Sequence, residues 1–259
     1  MVDDIAFYRR EGDLFVSTHW TVGPWDPGSQ HAGPPSALAG HAIASLVDPA
    51  AWRIGRFTFE IMRPVPVAVL RVEARITRGG RSVQYAEASL KAGDREVARA
   101  SAWLIRISRE PMPTTIEEPP SFPGPNESDP MAMDDGGARG YFAAMEWRAA
   151  RGSFVETGPA AVWMRMRGSL IEGEQPTQLA RVLAAADSGN GVSRELDFAY
   201  LFINTELTVH LQRLPIGEWV CLDARTRMDA DGIGVASTAL FDERSRFGSG
   251  AQSLFIAKR

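Results

Sequence analysis

Shifted by 150 positions, the second half of this 259-residue chain lies over the first: residues 57–106 align with 207–256 without a gap. Seven positions are identical: Thr58 with Thr208, Arg63 with Arg213, Ala74 and Arg75 with Ala224 and Arg225, Ala86 with Ala236, Leu90 with Leu240, and Leu104 with Leu254. Composition alone yields several such matches, so the weight rests on pattern. Phe57, Phe59 and Ile61 alternate with polar neighbours as Leu207, Val209 and Leu211 do, and residues 72–74 match 222–224, all at the two-residue period of a half-buried strand. A chain that repeats its strands in register builds one unit twice.

Each half also carries a helix upstream of these strands. In "HAGPPSALAGHAIASLV", Pro34 and Pro35 mark a helix start, and Leu38, Ala42 and Leu46 run down one face. In the second half Pro176 and Thr177 open a helix whose Leu179, Val182, Leu183 and Ala186 fall at i, i+3, i+4 and i+7. That helix ends in Asp187, where a carboxylate meets the negative end of the helix dipole at a cost of about 0.3–1 kcal/mol. Local propensity does not explain the residue. A helix rich in Ala and Gly can sit close against a sheet, so the economical architecture is α+β: a long antiparallel sheet wrapped around a central helix, made twice. The two sheets continue into each other, which removes an exposed edge.

Residues 107–137 hold seven of the 17 prolines and seven acidic residues against one arginine, and read as an extended, solvated connector. The expected organisation is an N-terminal repeat over 1–107, a Pro-rich linker over 108–137 and a C-terminal repeat over 138–259. With 28 basic against 32 acidic residues the net charge is −4, and no basic cluster interleaves with aromatics as a nucleic-acid surface requires. The start "MVDDIAFYRREGD" has no signal-peptide character and no run of eighteen apolar residues occurs, so neither export nor membrane insertion is expected. A single cysteine, Cys221, excludes an intrachain disulfide and any multi-cysteine metal site and points to a reducing compartment, the cytoplasm. No G-x-S-x-G elbow, P-loop, G-x-G-x-x-G or H-E-x-x-H occurs, which removes support for serine-hydrolase, nucleotide and zinc chemistry.

In the order of its elements the chain resembles the double-hotdog acyl-CoA thioesterases, of thioesterase II type, and their thioesterase-like relatives. The segments that carry the likeness are "HAGPPSALAG", "RFTFEIMRPVPVAVLRVEARITRGGRSVQYAEASL", "ARVLAAADSGN" and the C-terminal "STALFDERSRFGSGAQSLFIAKR". The resemblance implies hydrolysis of fatty acyl-CoA by water activated with an aspartate, a serine or threonine, and a glutamine, all from the second half. Carried over by position, the aspartate is Asp187 and the glutamine Gln252. Counting back from Arg213 in "INTELTVHLQR" puts Asn204 where the family has its hydroxyl, with Thr205 adjacent. Adjacent strand residues face opposite sides, so one of the two points into the site, and the count favours Asn204. Acyl-CoA is the implied substrate, with CoA part of it and no separate cofactor or metal; a role in lipid metabolism and a homodimer or higher homo-oligomer are further expectations. An enoyl-CoA hydratase and a non-catalytic acyl-thioester binding protein are the alternatives.

The residues themselves allow plainer readings. Asp187 opens "DSGNG", a run of turn formers in which Asp commonly bonds its own backbone. Gln252 reads as a solvent-facing strand residue or as a site residue; its repeat partner is Ala102, and that of Asn204 is Ile54, so the first half lacks both polar groups. His31 and Gly33 precede the first helix, where backbone N–H groups and the dipole suit an oxyanion or an ordinary Gly-Pro helix entry. His31 is the candidate for orienting substrate. His41 and His210 read as packed and strand-paired, Cys221 as core, and Arg63 and Arg213 as solvated strand ends.

Overall fold

A computed structural model describes residues 5–115, 117–131, 140–153, 156–197 and 199–259. The first half runs β1 (Ala6–Glu11), β2 (Leu14–Ser17), α1 (Gly33–Ala44), β3 (Trp52–Ile61), β4 (Val69–Arg78), β5 (Val83–Ala92) and β6 (Arg95–Arg106). After β7 (Asp129–Pro130) and the short α2 (Tyr141–Ala144) come β8 (Met145–Arg151), β9 (Ala160–Met166) and β10 (Ser169–Ile171). The second half then gives α3 (Gln178–Ala186), α4 (Gly189–Val192), β11 (Tyr200–Asn204), β12 (Glu206–Leu211), β13 (Val220–Met228), β14 (Ile233–Phe241) and β15 (Arg246–Lys258). The strands form one sheet in the order β10-β1-β2-β4-β5-β6-β3-β12-β15-β14-β13-β9-β8-β7, with β11 also on β15. All pairings are antiparallel except β1 with β10.

The seam between the halves is β3 against β12. There Thr58 and Thr208 lie directly opposite each other with hydroxyl oxygens 3.1 Å apart, so a local two-fold axis passes between two residues that are 150 positions apart. The ladders obey the same offset. The pair Ala74 and Ala88 in β4–β5 reappears as Ala224 and Thr238 in β13–β14, and Ala86 with Ala102 reappears as Ala236 with Gln252. The repeat read from the sequence is therefore a repeat of register as well as of elements.

Inside the sheet α1 and α3 pack on each other. Leu38 and Leu183 are fully buried, and each such burial contributes about 1.5–3 kcal/mol. The small residues of α1 face its partner helix as well as the sheet: a side chain at Gly33 would run into the Ala184 carbonyl and one at Gly40 into Leu183. Ser36 Oγ donates to the Leu183 carbonyl at 3.1 Å. This close approach brings the N-terminus of α1 to the C-terminus of α3, and it sets the position of the site.

Most described residues of the connector are exposed, and Phe122 ties it to the sheet at one point. Phe122 stacks edge-on against Trp163 and Phe241, and Trp163 Nε1 donates to the Pro123 carbonyl at 2.9 Å. Ala161, Trp163, Trp219, Cys221 and Phe241 form a second apolar cluster on the face of the sheet away from α3, and the half-buried Phe122 packs against it. The expected junction of linker and second repeat, at residues 137 and 138, lies outside the described residues.

Candidate active site

Asp187 caps the C-terminus of α3 and is 4% exposed. On α3 alone its carboxylate would be misplaced, because the helix dipole is negative there. The neighbouring helix reverses that. The backbone N–H groups of Ala32 and Gly33, at the start of α1, lie near enough to favour the ionised carboxylate, which thus sits at the positive end of α1. The Gly33 N–H is shared with His31 Nδ1, 3.0 Å away. Two helix ends meeting head to tail, enabled by the missing side chain of Gly33, account for an aspartate that neither helix would select alone.

Two side-chain amides complete its surroundings. Asn204 Nδ2 donates to Asp187 Oδ1 at 2.8 Å. Gln252 Nε2 donates to the Asp187 carbonyl at 2.9 Å and reaches Oδ1 at 3.4 Å, while its Oε1 accepts the Asn190 N–H at 3.0 Å. Gln252 is 1% exposed. The reading of a solvent-facing glutamine gives way to a buried one with both ends of its amide engaged. Thr205, by contrast, is exposed and directs its hydroxyl to the Ser253 carbonyl at 3.4 Å. Strand alternation makes this choice: Asn204 faces α3 and Thr205 faces away.

On the other carboxylate oxygen, His31 Nδ1 lies 3.2 Å from Asp187 Oδ2. The His31 ring stacks on Tyr141 with centroids 3.7 Å apart and planes 8° from parallel. Tyr141 in turn donates to the Ala184 carbonyl at 2.7 Å and shares a hydrogen bond with Ser188 Oγ at 2.9 Å. Burial pushes the Asp187 carboxyl up to about 6, against the opposing hydrogen bonds from Asn204, Ala32 and Gly33, and pushes the His31 imidazole down to about 3. Near neutral pH the histidine is therefore neutral, and the aspartate titrates just below neutrality.

The structure thus gathers Asp187, Asn204, Gln252, His31 and Gly33, with Asn204, Gln252 and His31 in direct contact with the aspartate side chain, and leaves Thr205 outside. Sequence reasoning gave Asn190, Ser188 and Tyr141 no role in a thioesterase site. Asn190 could have been found, since it lies within "DSGNG"; Tyr141, in "GYFAAMEW", carried no signal. Elsewhere, Arg213 is not a solvated strand end but forms an ion pair with the fully buried Asp242 and donates to Ser245 Oγ at 2.8 Å. His41 Nε2 lies 4.0 Å from Glu174, His210 sits opposite Arg56, and Cys221 is fully buried. Among the described residues no group of three His, Cys, Asp or Glu side chains is placed to hold a metal, and no helix is long and apolar enough to cross a membrane.

A family model described as the acyl-CoA thioesterase N-terminal domain matches residues 21–105, and one described as the acyl-CoA thioesterase C-terminal domain matches residues 123–256. No curated protein sequence matches the chain. Among solved structures, a protein described as a thioesterase II from Thermobifida fusca superposes with a TM-score of 0.76 at 15% identity, over 96% of this chain and 94% of that one. A protein described as a thioesterase from Novosphingobium aromaticivorans gives 0.74 at 20% identity, over 97% and 98%. A conserved protein of unknown function with a hot dog fold from Alicyclobacillus acidocaldarius gives 0.73 at 18%, over 99% and 98%. At such identities the superpositions speak for the fold, which is the double hotdog.

Proposed function

Because the chain belongs to the acyl-CoA thioesterase family, we propose that it hydrolyses acyl-CoA thioesters to the free acid and CoA, with Asp187 as the base that activates water. The observation that carries the reading is the buried Asp187 carboxylate, fixed on its Oδ1 side by Asn204 Nδ2 and Gln252 Nε2 and carrying a carboxyl raised to about 6. A base with a pKa a little below the working pH is ionised and still takes up a proton readily. Oδ2 faces the start of α1. A thioester carbonyl placed there would lie at the positive end of α1, whose dipole favours the oxyanion as it forms.

In the reaction so arranged, a water attacks the carbonyl carbon while Asp187 Oδ2 takes its proton. The carbonyl oxygen becomes the oxyanion, the carbon–sulfur bond breaks as the carbonyl re-forms, and the CoA sulfur leaves with the proton that Asp187 held. Asn204 and Gln252 act by holding the base. The amide of Asn204 performs this service without the family's hydroxyl, because a donor to a carboxylate is what the position requires. The test is release of CoA thiol from a panel of acyl-CoAs by the purified protein, with release above the spontaneous rate as the expected result.

One observation favours a second reading. His31 beside Asp187 supplies a second proton-handling group, as addition of water across an enoyl thioester would need. Loss of enoyl absorbance without thiol release would identify it. The burial that drives His31 down to about 3 weighs against an imidazolium acid at neutral pH.

A further inference from the structure

We infer that Tyr141 is a positioning residue for this site, a spacer that sets how far His31 stands from Asp187; the inference rests on the reading of Asp187 as the base. Tyr141 is fully buried, and its hydroxyl bonds the Ala184 carbonyl and Ser188 Oγ, not the Asp187 carboxylate. Its ring lies against the His31 imidazole at 3.7 Å and 8°. Behind it stands the ring of Phe7 at 6.2 Å, also near parallel, and the edge of Trp147 closes the side at 6.0 Å. The imidazole plane is thus set by a ring that is itself packed between other aromatic side chains.

The hydroxyl at the far end of the same side chain fastens to the turn that carries Asp187. Its proton goes to the Ala184 carbonyl at 2.7 Å, so Ser188 Oγ, at 2.9 Å, is the donor in the second bond. Ala184 and Ser188 lie three residues before and one residue after Asp187. The Tyr141 backbone N–H is anchored separately, on the Val22 carbonyl at 3.0 Å. One rigid side chain therefore spans both members of the His31–Asp187 pair, ring on one and hydroxyl on the flanks of the other. A buried tyrosine hydroxyl is costly to leave unbonded. Here it is bonded twice, and both bonds go to the segment that must be held.

Phenylalanine at this position keeps the ring stack and loses the fastening. The carboxyl carbon-13 resonance of Asp187, titrated without substrate, reads the pair directly and does not depend on turnover, so it remains informative if acyl-CoA hydrolysis itself is not observed. Tyr141→Phe is expected to shift the Asp187 midpoint by about 0.5 pH unit or more. It is also expected to lower kcat on the order of tenfold with KM within about twofold, and to lower it no further in an Asp187→Asn background. Tyr141→Leu, which also removes the stack, should shift the His31 nitrogen-15 resonances while Tyr141→Phe restores them. Unchanged Asp187 titration in folded Tyr141→Phe, or an equal kcat loss with and without Asp187, would show general support of the fold and overturn the inference.

Discussion

Asn204 Nδ2 lies 2.8 Å from Asp187 Oδ1. That hydrogen bond favours the ionised carboxylate, so its removal moves the Asp187 carboxyl further up from about 6. Asn204→Ala should shift the acidic limb of the pH–rate profile to higher pH and lower kcat at neutrality by about tenfold. Thr205→Ala removes a hydroxyl that bonds only Ser253 and should leave kcat within about twofold. Steady-state kinetics of the two variants across pH separate the neighbours.

Asp187 also makes stability depend on pH. Its folded value of about 6 lies above the ordinary 3.8, so between those values the folded state binds the proton more tightly than the unfolded chain does. Stability attributable to this group is present below about pH 4, falls as pH rises towards 6, and stays reduced above; the full difference is at most about 3 kcal/mol. Asp187→Asn removes the charge, its carbonyl can accept from Asn204 and Gln252, and its amide can donate to His31. Thermal unfolding should show the variant more stable than the native protein at pH 7.5 and no more stable at pH 4.

Gln252→Ala carries a structural cost that the sequence did not suggest. A polar strand residue facing a wet site would support little packing, but Gln252 is buried and satisfies the Asn190 N–H and the Asp187 carbonyl. Both groups lose a partner in the alanine variant. Denaturant unfolding should register a loss of about 1–3 kcal/mol alongside the loss of activity. Gln252→Glu, which keeps the acceptor for Asn190, should recover part of that stability below about pH 5 and none of the activity.

Gly33→Ala tests the meeting of the two helix ends. Its Cβ would overlap the Ala184 carbonyl, and a backbone carbonyl at the end of a packed helix has little room to give. The variant should unfold at least 2 kcal/mol or so earlier, within the range of overpacked cores. Its residual activity per folded molecule should fall as well, since α1 can no longer present its first N–H groups to the carboxylate.

How much of this was legible in the sequence follows from what fixes each feature. The repeat was legible because strand register preserves spacing: the hydrogen-bonded pairs of the first half recur 150 residues on in the second. Asp187, Gln252 and the pair Asn204/Thr205 could be located because the family resemblance carries its site residues onto positions near element ends within one half. What the sequence withheld depends on contacts between halves. His31 and Asp187 are 156 residues apart, and only the packing of α1 on α3 makes them neighbours. Tyr141 belongs to a segment with no helical or strand periodicity to place it. The tie at Phe122 was hidden for a like reason, because a single phenylalanine among prolines and acids gives no hint of the Trp163 and Phe241 rings that receive it.

Asp187 as the base of acyl-CoA hydrolysis is tested by the initial rate of CoA thiol release from pH 5 to pH 8, compared between the native protein and Asp187→Asn. The native rate should fall about tenfold per unit below pH 6 and level off above it, following the ionised fraction of a carboxyl near 6. The Asn variant, folded by its melting curve, should be slower by a factor on the order of 10² to 10⁴ throughout. Equal rates from the two proteins would remove Asp187 from the chemistry, and acyl-CoA that binds the native protein and is never cleaved would make the protein a binder and no hydrolase.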